Sequence, residues 1–309
     1  MTATDEIRTT GRLVGDVLGG GVGLVEQVHR AIARRVFRAV GPTSWPVRLV
    51  HDAIGGAVYG SVRLAHASLP RAGAAYAALG VDPGAPALAD RRGTGAALAA
   101  VNGLWGDSLA GRYPALASDM VIREAGATVS PDRDGLAAAF GDAGPRVAVF
   151  VHGLCENERS WERDALRHHG DASATYGSLL QRDLGFTPVV LRYNTGLRVS
   201  DNGRALSDLL AGLVADWPVA VEQLVLVGHS MGGLVVRSAC RRAELEGLGW
   251  ADRVGHVVCL GTPHLGAPLE KGVNALSWLA GRVPETRPFA EVLNARSVGV
   301  KDLRFGACV

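Results

Sequence analysis

The chain has 309 residues, of which 48% are hydrophobic and 20% are charged, so its composition allows a packed core and excludes general disorder. A formal net charge of +2 gives no indication of nucleic-acid binding. The cysteines are widely spaced without a CxxC pair, which favours reduced thiols over disulfides; they are Cys155, Cys240, Cys259 and Cys308. No residues have metal-ligand spacing, and no cofactor is indicated. Because no secretion signal is evident, we expect a cytoplasmic chain, with membrane association left open.

The first 80 residues predict long helices. Apolar residues from Leu13 to Val40 recur at helical spacing, and Gly41-Pro42 ends this helix. A second helix is predicted from Val47 to Ser68, because Pro70 cannot donate a backbone hydrogen bond, and a third helix over residues 72–79. The N-terminal region is therefore expected to be helical.

Two features of the first helix bear on its partners. Its glycines recur every fourth residue, which allows very close contact between helices; they are Gly11, Gly15, Gly19 and Gly23. Four arginines cluster on its polar side, at positions 30, 34, 35 and 38. Three interpretations stay open: a helical cap packed on the main domain, a self-association surface, and a peripheral membrane contact that uses the arginines and the apolar stripe.

The chain is predicted to divide into three parts. Residues 1–85 form the N-terminal helical region, residues 86–115 form a linker with a short helix, and residues 116–309 form an α/β domain. A β-hairpin is predicted around Gly126. Near the end of the chain, residues 282–291 are predicted to be a proline-interrupted loop and residues 292–302 to be irregular.

Apolar strands alternate with helical segments through the α/β domain. The strands are predicted at residues 147–151, 187–193, 224–227 and 254–260. This alternation is typical of a mostly parallel sheet with helices on both sides.

The stretch around Ser230 has the pattern of a serine held in a tight turn. Apolar residues at 224–227 lead into Gly-His-Ser-Met-Gly, and a helical pattern follows. A side chain two residues before or after the serine would collide with neighbouring backbone, so Gly228 and Gly232 are needed there. This context predicts a nucleophile elbow, in which Ser230 precedes a helix whose N–H groups favour a developing oxyanion.

Several motifs together resemble a known group of enzymes. They are VFVHGL, RYNTG, VGHSMGGLVVRSA and GTPHLGAP, spread over about residues 146–306. The combination resembles the lipase/esterase branch of the α/β-hydrolases, nearest to GPI-inositol-deacylase-like and triacylglycerol-lipase-like proteins. The resemblance implies an α/β-hydrolase fold and an ester or lipid-like small-molecule substrate.

The same resemblance assigns the residues of the site. Ser230 is the nucleophile, and the backbone N–H groups of Leu154 and Met231 form the oxyanion hole. His152 is expected to orient the loop that contains Leu154, and Cys155 is expected to be an ordinary thiol.

The end of the chain departs from the pattern of this group. In this fold an acid and a histidine follow the nucleophile, but no histidine occurs after His264. We therefore expect a chain that is truncated or has lost its catalytic end, without the last strands of the sheet. The alternative is an unusual arrangement with His256 or His264 as the base and Glu270 or Asp302 as the acid. Of these, His264 and Asp302 are the predicted pair.

Two functions follow from this sequence. The first is a serine ester hydrolase that forms an acyl-enzyme at Ser230. The second is a catalytically inactive binding or scaffold protein, which the absence of an evident acid and histidine favours.

Overall fold

The computed structural model describes residues 2–82 and 84–306, and Cys308 therefore lies outside the described residues. The chain divides into two compact units. The first unit contains the residues up to 88 together with residues 271–296, and the second contains residues 89–270 together with those from 297 onward. In this division residues 89–115 group with the residues that form the sheet, and residues 271–296 group with the N-terminal helices.

The helices of the described residues are α1 Ala3–Val40, α2 Trp45–Leu79, α3 Arg92–Arg112, α4 Arg133–Ala139, α5 Ala165–His169, α6 Tyr176–Leu184, α7 Val199–Asp216, α8 Met231–Glu246, α9 Pro268–Ala280, α10 Arg287–Asn294 and α11 Val298–Asp302. The strands are β1 Val121–Glu124, β2 Ala127–Val129, β3 Arg146–Val151, β4 Thr187–Arg192, β5 Gln223–His229 and β6 Val254–Leu260. None of the helices in the described residues combines the length and the apolar character that crossing a membrane requires.

In the first unit, α1 and α2 pack as an antiparallel hairpin. Gly11 contacts Ala74, and a Cβ at Gly15 would lie 2.8 Å from the Ala67 carbonyl oxygen. Both glycines thus allow the close approach expected of them, whereas a Cβ at Gly19 or Gly23 would meet open space. The predicted contact between helices therefore uses only the first half of the glycine series.

The helix break predicted before Pro70 is wrong. Residues 45–79 form one continuous helix that contains this proline. Pro70 removes one backbone donor, but its carbonyl group packs against Gly11 of α1, and the Arg71 guanidinium donates to the Ala67 carbonyl in the same turn. Packing against α1 therefore outweighs the local preference of the proline.

The different surroundings of the α1 glycines give a testable contrast. We expect Gly11→Ala to lower the free energy of unfolding by about 1 to 3 kcal/mol, because the added methyl group overlaps Ala74. Gly23→Ala is the matched control, and we expect it to raise the free energy by up to about 1 kcal/mol through helix propensity. Urea unfolding followed by circular dichroism measures both. Equal effects of the two substitutions would contradict the packing described here.

Three predictions about irregular segments need correction. The loop predicted at 282–291 contains the start of α10, because Pro288 lies in the first helical turn, where a missing N–H costs little. The segment predicted as irregular at 292–302 contains α11, whose first turn is capped by the Ser297 side chain accepting from the Val300 N–H. The segment predicted as a linker with a short helix, residues 86–115, contains all of α3, a longer helix that is interrupted at Trp105, where φ is −141° and ψ is 23°.

In the second unit, the strands of the described residues form one sheet in the order β2-β1-β4-β3-β5-β6. Strands β4, β3, β5 and β6 are parallel, and β1 is antiparallel to both β2 and β4. The hairpin predicted around Gly126 is present as β1 and β2. The predicted α/β class with a mostly parallel sheet, preceded by an N-terminal helical region, is confirmed.

Both faces of this sheet are covered by helices. Val147, Val149 and Val151 of β3 pack into a buried cluster with side chains of α7 and α8. Ala148 and Phe150 point to the other face, toward Leu180 of α6. Because both faces are covered, β3 is apolar from Val147 to Val151. At the edge of the sheet, most of β6 is exposed.

Candidate active site

Ser230 joins β5 to α8. Its backbone has φ 50° and ψ −120°, a combination that a residue with a side chain rarely adopts. Its N–H donates to the Leu260 carbonyl at the end of β6, with a nitrogen–oxygen distance of 2.7 Å. The turn therefore places a partly exposed serine at the carboxyl edge of the parallel strands.

The glycines that flank Ser230 lie against neighbouring backbone. A Cβ at Gly228 would lie 2.5 Å from the Gly233 Cα, and a Cβ at Gly232 would lie 2.6 Å from the His152 carbonyl oxygen. Neither position can carry a side chain unless the turn shifts. The spacing of these glycines thus follows from the contact between α8 and the ends of β3 and β5.

The loop after β3 passes directly beside Ser230. A Cβ at Gly153 would lie 3.0 Å from the Ser230 Cβ. His152 is fully buried, and its Nδ1 lies 3.0 Å from the Gly153 carbonyl oxygen, to which it must donate. Because C=O and N–H point in opposite directions across a trans peptide bond, this hydrogen bond sets the direction of the Leu154 N–H.

Glu156 connects this loop to the residue before Ser230. One carboxylate oxygen, Oε2, accepts the Gly153 N–H at 2.8 Å and lies 2.9 Å from the His229 Nδ1. The other oxygen, Oε1, lies 3.3 Å from a guanidinium nitrogen of Arg163. The Glu156 side chain thus links the loop after β3 to the end of β5.

Three ionisable groups near the loop have shifted pKa values. Burial lowers the pKa of His152 to about 4, so the ring is neutral at neutral pH. Burial alone raises the pKa of Glu156, but hydrogen bonds from Gly153 and His229 and the nearby Arg163 outweigh it, and the pKa lies below its ordinary value. Burial, followed by the charge of Glu156, raises the pKa of the Cys155 thiol, which keeps it protonated and a poor nucleophile.

Two backbone N–H groups near Ser230 have no acceptor in the part of the chain that the structure describes. They belong to Leu154 and to Met231, the first residue of α8. The adjacent N–H groups of Gly153 and Cys155 are both bonded, to Glu156 and to the Thr195 hydroxyl. The unbonded pair is the one that the sequence predicts for an oxyanion hole.

The predicted base and acid are separated in the structure. His264 Nδ1 lies 2.8 Å from a guanidinium nitrogen of Arg237. Asp302 Oδ2 accepts the Val199 N–H at the start of α7, with a nitrogen–oxygen distance of 2.9 Å. Among the described residues, no hydrogen bond joins His264 or Asp302 to each other or to Ser230.

The other two candidates are also engaged elsewhere. His256 is exposed on β6 at the register position of Val225. Glu270 is buried, and one of its carboxylate oxygens lies 3.3 Å from a guanidinium nitrogen of Arg304. Within the described residues, no histidine that follows Ser230 is within hydrogen-bond distance of a carboxylate.

Sequence reasoning missed the Glu156–His229 pair. Glu156 follows Gly153 by three residues, and this spacing allows a carboxylate to accept the N–H at the start of a turn. Its pairing with His229, 73 positions later in the chain, becomes visible only when β3 and β5 lie side by side.

A cleft of about 370 Å³ adjoins the same loop. Ala99 of α3 contributes to its lining, as do Cys155 and Glu156 of the loop and the guanidinium groups of Arg159 and Arg163. In the described part of the chain, no three His, Cys, Asp or Glu side chains form a group that could hold a metal ion. The cleft therefore offers both apolar and charged surface beside the loop.

The mostly parallel sheet with helices on both faces, and the turn at Ser230 that joins β5 to α8, define the class of the second unit as an α/β domain. Residues 146–281, a little under half of the chain, match the family described as "PGAP1-like alpha/beta domain". This match begins at the residue where the sequence resemblance begins. The search of curated proteins found no match.

Two solved structures are similar over part of the chain. The lipase BlEst2 of Bacillus licheniformis in its mature form shares 23% identity with a TM-score of 0.34, covering 52% of this chain and 54% of that one. The propeptide form of the same lipase shares 23% identity with a TM-score of 0.36, covering 52% of this chain and 30% of that one. The chain thus spans about half or less of the length of these lipases.

Proposed function

We propose that the chain is a serine ester hydrolase that forms an acyl-enzyme at Ser230. The observation that supports this most is the position of Ser230 in a strained turn beside a loop, with two unbonded N–H groups nearby. The fold and the family match agree with hydrolase chemistry. The substrate is an ester or lipid-like small molecule.

The reaction proceeds in two steps. The Ser230 oxygen attacks the ester carbonyl and loses its proton to a base, while the carbonyl oxygen gains negative charge near the N–H groups of Leu154 and Met231. The carbon–oxygen bond to the alcohol then breaks, and the alcohol leaves with the proton. Water attacks the acyl-serine in the same way and releases the carboxylic acid and free Ser230.

His264 and Asp302 are the proposed base and acid, in an arrangement that reverses the usual order of acid before histidine. For this role His264 has to leave Arg237 and Asp302 has to leave the Val199 N–H. A second candidate function, a binding or scaffold protein without catalysis, is favoured by the lack of a histidine–carboxylate pair after Ser230 in the described residues.

Covalent labelling separates these two functions. We expect a fluorophosphonate probe to label the wild-type chain, and Ser230→Ala to abolish both labelling and hydrolysis of nitrophenyl esters. Ser108→Ala, which removes an exposed serine hydroxyl of α3, is the matched control and should retain both. A folded wild-type chain that takes up no probe would instead support the scaffold protein.

A further inference from the structure

The outward side of α2 is a long, uncharged and exposed surface. Between Val47 and Leu79, twelve residues lie within an arc of about 100° on the helix, at 100° per residue. Two of them lie at its margins and are polar: His51, which contacts His29 of α1, and Ser68, whose hydroxyl donates to the Leu64 carbonyl. The other ten are all exposed and form the α2 outer face: Val47, Val50, Ile54, Val58, Ser61, Ala65, Leu69, Ala72, Tyr76 and Leu79. Among these ten, only Ser61 and Tyr76 have polar side-chain groups. The face extends for about 48 Å along the helix.

The charged residues of α2 lie away from this face. Arg63 pairs with Glu26 of α1 at 2.6 Å, Arg71 pairs with Asp16 of α1, and Arg48 lies 3.5 Å from Asp52 on α2 itself. Two of the α2 arginines therefore pair with α1, the third pairs within α2, and the outer face carries no charged side chain. Exposed apolar surface of this extent is rare in monomeric proteins and marks an interaction site.

The charges at the turn between α1 and α2 indicate the kind of partner. Four arginines occur between residues 30 and 38, with no acidic residue among them. Arg34 and Arg38 make no ion pair within the described part of the chain. Trp45, which is 66% exposed, begins α2 beside this basic cluster. Tryptophan and arginine together favour the interface of an anionic bilayer.

We propose that the α2 outer face docks on the surface of an anionic lipid bilayer, with the basic cluster contacting lipid phosphates. A fluid bilayer can bind an apolar helix face that lacks specifically placed polar groups. Its anionic headgroups also neutralise the charges of Arg34 and Arg38. The same face of a second copy of the chain contains no carboxylate to pair with the arginines. The lipid surface is therefore the occupant that fits both the apolar and the charged features.

Vesicle flotation tests this proposal with the full chain. The outer-face variant combines Val47→Asp, Ile54→Asp and Val58→Asp, and we expect it to bind phosphatidylglycerol-containing vesicles on the order of 100-fold more weakly than wild type. The matched control places three aspartates at exposed leucines of the second unit, Leu166, Leu184 and Leu245, and should bind like wild type. Circular dichroism establishes that each variant is folded.

The arginines are tested separately from the apolar face. Arg34→Gln with Arg38→Gln should weaken binding to phosphatidylglycerol-containing vesicles by roughly 30-fold, and should leave weak binding to pure phosphatidylcholine vesicles unchanged. Ser230→Ala should bind as wild type does, because docking does not use the serine. Failure of the proposed catalysis and failure of docking are therefore distinguishable.

Two results would overturn the proposal. One is vesicle binding by the outer-face variant equal to that of wild type. The other is a wild-type chain that ignores vesicles but forms a dimer by light scattering, with the dimer lost in the outer-face variant. The second result would assign the face to a second copy of the chain.

Discussion

Glu156→Ala is expected to lower kcat for ester hydrolysis on the order of 100-fold and to change KM little. Glu156 accepts the Gly153 N–H and contacts His229, so its loss frees the loop that directs the Leu154 N–H. Loss of one oxyanion donor typically costs about 100- to 1,000-fold in kcat. Steady-state kinetics with a soluble nitrophenyl ester measures this effect.

Two further variants separate positioning from general stability. Glu156→Gln keeps an oxygen that accepts the Gly153 N–H, so we expect it to restore most of the lost kcat. Glu162→Ala removes a nearby carboxylate that lies 3.6 Å from a guanidinium nitrogen of Arg92. The kcat of this variant should stay within about twofold of the wild-type value. Wild-type kcat in a folded Glu156→Ala chain would show that the loop is held without this carboxylate.

The second large effect concerns stability in acid. The pKa of His152 is lowered to about 4 by burial, whereas the unfolded chain has a histidine pKa near its ordinary value of about 6.5. Between about pH 6.5 and pH 4 the histidine of the unfolded chain is protonated while the buried ring of the folded chain is still neutral, so acid favours unfolding. The stabilisation that depends on a neutral His152 is therefore complete above about pH 6.5 and is lost as the pH falls to about 4. We expect protonation of His152 alone to lower the free energy of unfolding by about 3 kcal/mol between pH 6.5 and pH 4.

Urea unfolding at several pH values between 7 and 4 tests this expectation. His152→Asn should lower stability at pH 7 but show a shallower fall toward pH 4 than wild type, because the titrating group is gone. His169→Asn, at an exposed position of α5, should retain the wild-type pH dependence. An unchanged slope in His152→Asn would contradict a buried neutral ring at this position.

Much of the second unit was predictable because its signals are local. The strand predicted at 254–260 begins and ends as predicted, and the strand predicted at 147–151 lies within β3. Both are runs of mostly apolar residues, which the local sequence is enough to reveal. The turn at Ser230 was predictable because Gly228 and Gly232 flank the serine at positions where a side chain would collide with the neighbouring backbone.

Other features depended on packing between distant segments. Pro70 predicted a helix end, but contact with Gly11 of α1 keeps α2 continuous. The apolar stripe of α1 was predictable from the sequence. Its exposure was not predictable; the Val17 side chain, for example, is 63% exposed. For Pro70, tertiary contact outweighed the local preference of the residue.

The sequence by itself determined the α/β class, the strands of the parallel sheet and the serine turn, because each depends on residues within a few positions of one another. Only the tertiary structure decided the surroundings of that serine. It brings Glu156 to His229 across two strands, buries His152 beneath the loop and leaves the α2 outer face exposed. These contacts join residues far apart in the chain, and no local period or spacing encodes them.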